Sequence, residues 1–136
     1  PVTSACGPTT ISSDMPGQTV TCTATSAGGT TTQTVTVKRD ATAPTLAPTV
    51  TPNPVLLGGT ATAAPNASDA TSGLASSSCA APATASVGSK TVACTATDVA
   101  GNTATASAGY QVQYAFGGYQ APVSGAPGAL NTARAG

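Results

Sequence analysis

The four cysteines of this chain can form disulfide bonds or bind a metal. They are Cys6, Cys22, Cys79 and Cys94, and by number alone they can pair in three ways. Because the sequence around Cys22 repeats around Cys94, we expect disulfide bonds within each copy, Cys6 with Cys22 and Cys79 with Cys94. Each bond would close a loop of about 15 residues and stabilise the fold by roughly 3 kcal/mol. Zinc fits less well, since CxxC pairs and histidine are both missing.

Asp98 and Asn102 flank a glycine-containing turn that has two interpretations. Joined by Asp69 or Asp40, they could bind calcium. Alternatively, an Asx-type hydrogen bond closes the hairpin, with Asn and Gly in unusual backbone conformations. Calcium takes six to eight oxygens, usually from several carboxylates, and this chain has only four aspartates, spread widely. We therefore expect no metal, and Asp69, Asp98 and Asn102 stay as the calcium candidates.

Catalysis is not expected from this set of residues. The chain has neither histidine nor glutamate, so it cannot form a serine–histidine or cysteine–histidine arrangement by itself. A pair of aspartates remains formally available, but the sequence brings no two of them together. We predict that the protein is not an enzyme and needs no cofactor.

All four aromatic residues lie within ten positions of one another: Tyr110, Tyr114, Phe116 and Tyr119. Such a group could form a ligand or interface platform, for example for stacking on a sugar. The alternative, which we favour, is that Tyr110, Tyr114 and Phe116 alternate along a last strand and face the core. The lack of tryptophan weakens the case for sugar recognition.

The elements that would position these residues are strands. The segments Thr19–Thr25 and Thr91–Thr97 are two copies of one pattern, with a cysteine at the centre and a spacing of 72 residues, as in a modular array. Within each copy apolar residues alternate with hydroxyl-bearing ones, which is typical of a half-buried strand. Helical periodicity is nearly missing, and many short strands between turn signals predict an all-β sandwich.

The strands that follow the two copies pose a problem of parity. The inward sets are Val35 and Val37 in the first copy and the even-numbered residues from Ala104 to Phe116 in the second. Counted from the turn, one set occupies the odd positions of its strand and the other set occupies the even positions. One hairpin must therefore be shorter by an odd number of residues, or carry a bulge.

The stretch Val87–Ala104 resembles the hyalin-repeat (HYR) family and is similar to related bacterial immunoglobulin-like repeats. Asp40–Pro44 is similar to the join between repeats in those arrays, and Ser68–Leu74 to their turn before the first cysteine. The first copy departs from the pattern, with Ser26–Thr30 in place of the Asp-and-Asn turn. The resemblance implies immunoglobulin-like antiparallel sandwiches in extracellular, multi-domain surface proteins that are commonly linked with adhesion.

Three segments follow from this resemblance. Residues 1–40 would be the C-terminal part of a first repeat, residues 41–114 a complete repeat, and residues 115–136 a linker and the start of a further β-module. Only about 40 residues precede the join, whereas a complete sandwich typically needs roughly 100. The chain is thus predicted to be a segment of a longer array. Its partners would be neighbouring modules of the same polypeptide.

Composition excludes other functions. Charged residues make up 6% of the 136 residues, with four Lys and Arg against four Asp, which is too few basic groups for a nucleic-acid partner. No segment has the roughly 20 apolar residues that a membrane helix requires. Small modules with sparse cores and paired cysteines are typical of oxidising compartments, rather than of cytosolic proteins with free thiols. We expect an extracellular, secreted or cell-surface location.

The sequence therefore predicts a structural or adhesion module, acting as a spacer or stalk. Two alternatives stay open. The chain could be a polysaccharide-binding module of a secreted hydrolase, with a glycan or protein ligand at the aromatic residues. It could also be a polymer subunit whose unpaired strand edges accept a neighbour's strand.

Overall fold

The computed structural model describes residues 2–4 and 7–117, and these residues form strands and turns without a helix. The prediction of an all-β protein is confirmed. No described segment could cross a membrane as a helix. The strands are β1 (Thr3–Ser4), β2 (Met15–Ser26), β3 (Gly29–Arg39), β4 (Thr45–Leu46), β5 (Thr49–Thr51), β6 (Val55–Leu56), β7 (Thr62–Ala64), β8 (Ala67–Ser68), β9 (Leu74–Cys79), β10 (Gly88–Asp98) and β11 (Thr103–Gln113).

Strand pairing among the described residues does not cross residue 40. Strands β1, β2 and β3 form one antiparallel sheet in that order, which we call the first unit. All other strands pair among themselves within residues 45–113, which we call the second unit. The linker between the units is residues 40–43.

In the first unit the long hairpin of β2 and β3 separates its two faces by residue type. Val20 lies opposite Val35, and Thr21 lies opposite Thr34. Because successive side chains point to opposite faces of a strand, valines gather on one face and threonines on the other. The threonine face holds four cross-strand pairs: Thr19 with Thr36, Thr21 with Thr34, Thr23 with Thr32, and Thr25 with Thr30.

The second unit is built around a four-stranded sheet in the order β6-β11-β10-β9. Strand β6 runs parallel to β11, and the other neighbours are antiparallel. Two short ribbons, β4 with β8 and β5 with β7, complete the unit. Prolines between the early strands keep them short, as expected for residues that cannot donate to a ladder.

The core of the chain lies in the second unit. Alternate residues of β10 and β11 pack against valines from β5 and β6. Two alanines, one just before β7 and one within it, lie at the border of this cluster. The buried cluster is Val50, Val55, Val92, Ala108, Tyr110 and Val112, with Ala61 and Ala63 at its border.

The hairpin lengths resolve the parity problem. Thr25 pairs with Thr30 in the first unit, and Thr97 pairs with Thr103 in the second. The segment between the paired residues is therefore 26–29 in one hairpin and 98–102 in the other, one residue shorter in the first unit. The predicted odd difference is confirmed, and it keeps the valines of both last strands on the cysteine face.

The disulfide bond between Cys79 and Cys94 is present. The two residues lie directly opposite each other on β9 and β10, with 3.9 Å between their Cα atoms. The bond therefore ties neighbouring strands of one sheet. Cys22 is also disulfide-bonded, whereas its expected partner, Cys6, lies outside the described residues.

One detail of the predicted strands is wrong. Strand β11 ends at Gln113, so Tyr114 and Phe116 do not continue its inward face. Of the predicted linker and further module, residues 115–136, positions 118–136 lie outside the described part of the chain.

Candidate functional site

Three aspartates from distant parts of the sequence meet at the linker. Asp40 follows β3, Asp69 follows β8, and Asp98 ends β10. One carboxylate oxygen from each lies within 4.8 Å of the others. Asp98 is the most enclosed, with 1% of its surface exposed. The fold thus collects carboxylates that the sequence keeps about 30 residues apart.

The hairpin turn after β10 holds Asp98 in place. Its Oδ1 accepts a hydrogen bond from the backbone N–H of Asn102 at 2.8 Å, and its Oδ2 accepts one from the Asn102 side-chain amide, also at 2.8 Å. Gly101 provides the positive φ, 94°, that the turn requires, while Asn102 has no positive φ. This is the Asx-type interaction that the sequence offered as the alternative to calcium.

The Asn102 side chain also reaches the linker. Its amide donates to the backbone carbonyls of Asp40 and Thr42, both at 3.3 Å. Because the amide nitrogen faces the carboxylate cluster, Asn102 acts as a donor there.

Asp40 connects the linker to the second unit through its side chain. One carboxylate oxygen accepts the N–H of Thr42 at 3.0 Å, and the other accepts the N–H of Ser72 at 3.1 Å. Hydrogen bonds from Ser72, led by its side chain, and from the Thr42 backbone lower the pKa of Asp40 below its ordinary value of 3.8. These donors favour the charged form, so Asp40 is ionised over the whole neutral range.

Asp69 organises the loop that Ser72 belongs to. Its Oδ1 accepts the backbone N–H groups of Thr71, Ser72 and Gly73 at 3.1, 2.9 and 2.9 Å. Three converging N–H groups fix the loop around a single carboxylate oxygen, which is a common role of aspartate in turns. The loop then presents the Ser72 N–H to Asp40.

From the other side, the first unit holds the linker through Asp14. Its carboxylate accepts hydrogen bonds from the Arg39 guanidinium, from the N–H of Ala41 at 3.0 Å, and from the Thr42 hydroxyl at 2.6 Å. Sequence reasoning missed this residue. The available signal was that all four aspartates lie at strand ends or in turns, where carboxylates satisfy exposed backbone N–H groups.

Together these contacts form what we call the joint: Asp14, Asp40, Asp69, Asp98 and Asn102 with the backbone of residues 40–42. A cleft of about 340 Å³ separates the units beside it. Val99, on the second unit's side of this cleft, is 66% exposed. Among the described residues, the contacts that define the joint are hydrogen bonds and the Arg39–Asp14 ion pair.

The chemistry open to the carboxylate cluster is limited. Calcium takes six to eight oxygens, and both oxygens of Asp40, both of Asp98 and Oδ1 of Asp69 already accept N–H groups. Every buried side-chain nitrogen and oxygen of the described residues has a hydrogen-bond partner. The aspartates that the sequence kept apart do come together, and the most buried of them, Asp98, accepts hydrogen bonds from Asn102 on both oxygens.

The aromatic residues separate in the structure. Tyr110 is buried in the core and donates its hydroxyl to the Ala83 carbonyl at 3.0 Å, so it cannot serve as a ligand platform. Tyr114 and Phe116 are 69% and 77% exposed, against the expectation that they face the core. Tyr119 lies outside the described residues.

Comparison of the chain with protein-family models, with curated proteins and with solved structures gives no match. The resemblance to hyalin-type repeats therefore stays a prediction from the residues.

Proposed function

We propose that this chain is a non-catalytic spacer from an extracellular or cell-surface protein, built from immunoglobulin-like repeats of the HYR type. The observation that carries the proposal is the joint. Linker residues 40–42 are hydrogen-bonded to Asp14 of the first unit and to Ser72 and Asn102 of the second. A linker held from both sides fixes the direction in which one unit projects from the next, which is what a stalk requires.

Other features support an extracellular location. The Cys79–Cys94 bond belongs in an oxidising compartment and compensates for a core of few large side chains. The threonine face of the first unit is exposed and uncharged, so it keeps the hairpin soluble without attracting charged partners. These properties suit a stable module that projects a neighbouring unit of the same polypeptide.

The spacer proposal is tested by comparing the tumbling of the two units in solution. Backbone ¹⁵N relaxation of the full chain should give the same rotational correlation time for both units. The double variant D14A/N102A should uncouple them, whereas Q111A, which removes an exposed side-chain hydrogen bond to Ser89, should not. Independent tumbling of the units in the unaltered chain would contradict the proposal.

A polysaccharide-binding module is the second candidate, favoured by the exposure of Tyr114 and Phe116. Exposed rings can stack on sugar faces. Binding on a glycan array that is lost in Tyr114→Ala would support this function. No binding to any glycan would leave the spacer as the only function proposed.

A further inference from the structure

The apolar face of the first hairpin is only partly covered. We call it the open face: Val20, Cys22 and Ala24 of β2 with Val35 and Val37 of β3. Val35 is 57% exposed, and the other four are half-buried. Their cross-strand partners Gln18, Thr31 and Gln33 lie on the same side, so the face is mixed, and its valines are the part that a second layer would normally cover.

The second unit contains the same face in its covered form. Matched through the cysteines, the Val20–Val35 pair corresponds to Val92 opposite Ala108. Val92, Cys94, Ala96, Ala108 and Tyr110 are each at most 7% exposed. The pairs beside the cysteines correspond in the two units, and in the second unit further strands lie over this face.

The covering layer of the second unit is the segment 44–64. Val50 of β5 and Val55 of β6 belong to the buried cluster together with Val92 and Ala108. Val55, at 1% exposure, is among the most buried side chains of the described chain. This segment contains the short strands β4 to β7, of which β5 and β7 pair with each other; it is interrupted by prolines and free of charged residues.

The same segment also covers a strand edge. In the second unit β6 pairs in parallel with the outer edge of β11, and the Asn53 side chain bridges the Gly109 carbonyl and the Gln111 N–H. In the first unit β3 is the last strand of its sheet, and no described strand pairs with its outer edge. Unpaired N–H and carbonyl groups on an 11-residue strand are a template for a further strand.

We propose that the open face and the outer edge of β3 bind the first half of a further repeat: an uncharged, proline-bounded segment of short strands that places valines as residues 44–64 do. Residues 15–37 carry no charged side chain, and neither do residues 44–64. Packing a segment of the latter kind on the open face therefore buries no unpaired ion. A second copy of this chain is not the donor, because giving up its own segment 44–64 would expose Val50 and Val55. The inference rests on the proposed repeat organisation and names the partner of its first unit.

The test titrates a fluorescently labelled synthetic peptide of residues 44–64 with the full chain and follows the peptide's anisotropy. We expect saturable binding, together with slower amide exchange of β3. Val35→Lys should weaken binding about tenfold or more, because a valine that becomes buried on binding is replaced by a charge. Thr34→Lys is the matched control on the opposite face of the same strand and should change binding by less than about twofold. Both positions are exposed, so both variants should fold.

Three results would overturn the proposal. The first is no saturable binding of the peptide, and the second is equal loss of binding in the two lysine variants. The third is concentration-dependent self-association of the chain that Val35→Lys abolishes, which would make a second copy the occupant. The relaxation experiment on the joint does not depend on this face, so failure of peptide binding and failure of the spacer proposal can be told apart.

Discussion

Removing the Asn102 side chain should destabilise the second unit far more than the loss of an ordinary surface amide. In Asn102→Ala the buried Asp98 loses the amide donor to Oδ2 at 2.8 Å, and the linker loses two contacts at 3.3 Å. Leaving a buried acceptor without its donor costs about 1–3 kcal/mol, and the burial of Asp98 leaves little solvent to replace the amide. We expect a loss of about 2 kcal/mol.

For a domain of this size such a loss should lower the unfolding temperature by roughly 8–16 °C. Differential scanning calorimetry of the full chain at pH 7 measures it directly. Gln111→Ala is the control, since it removes an exposed amide that donates to the Ser89 hydroxyl, and its effect should stay within about 0.5 kcal/mol. If Asn102→Ala were as mild as this control, the joint would not be the stabilising element described above.

Three further predictions concern the second unit and the joint. Replacing Cys79 and Cys94 by serine should cost about 3 kcal/mol in urea denaturation; an unchanged midpoint would contradict the role given to the bond. Val55→Ala should cost about 2 kcal/mol because the side chain is fully buried, whereas Val99→Ala, at an exposed turn, should cost less than about 0.5 kcal/mol. Asp40 has a lowered pKa in the folded state, so its contribution is complete above its ordinary pKa of 3.8 and is lost as pH falls through the lowered value. The unfolding temperature should therefore be insensitive to this group from pH 7 to 5 and fall below pH 4, and Asp40→Asn should weaken the acid dependence; a variant with the same acid profile as the unaltered chain would refute this.

Much of the fold could be read from local patterns. The alternation in Thr19–Thr25 and Thr91–Thr97 predicted the two central strands, and the mismatch in parity predicted unequal hairpins. The Asx-type interaction of Asp98 with Asn102 was available because it spans only four residues. The end of β11 was not, since Tyr110, Tyr114 and Phe116 have the same alternation and differ only in whether other strands cover them.

The sequence by itself determined the two strands that carry Cys22 and Cys94, the faces of these strands and the partner of Cys79, because each depends on residues close together in the chain. Only the tertiary structure decided which faces are covered, that the linker is held by Asp14 and Asn102, and that three aspartates meet beside it. These features depend on contacts between segments that are far apart in the sequence. The hydrogen bond from Asn102 to the Asp40 carbonyl, for example, joins residues 62 positions apart. Local sequence preferences do not determine these contacts. They form because the core of the second unit packs over β10 and β11, which places the turns of that unit beside the end of β3.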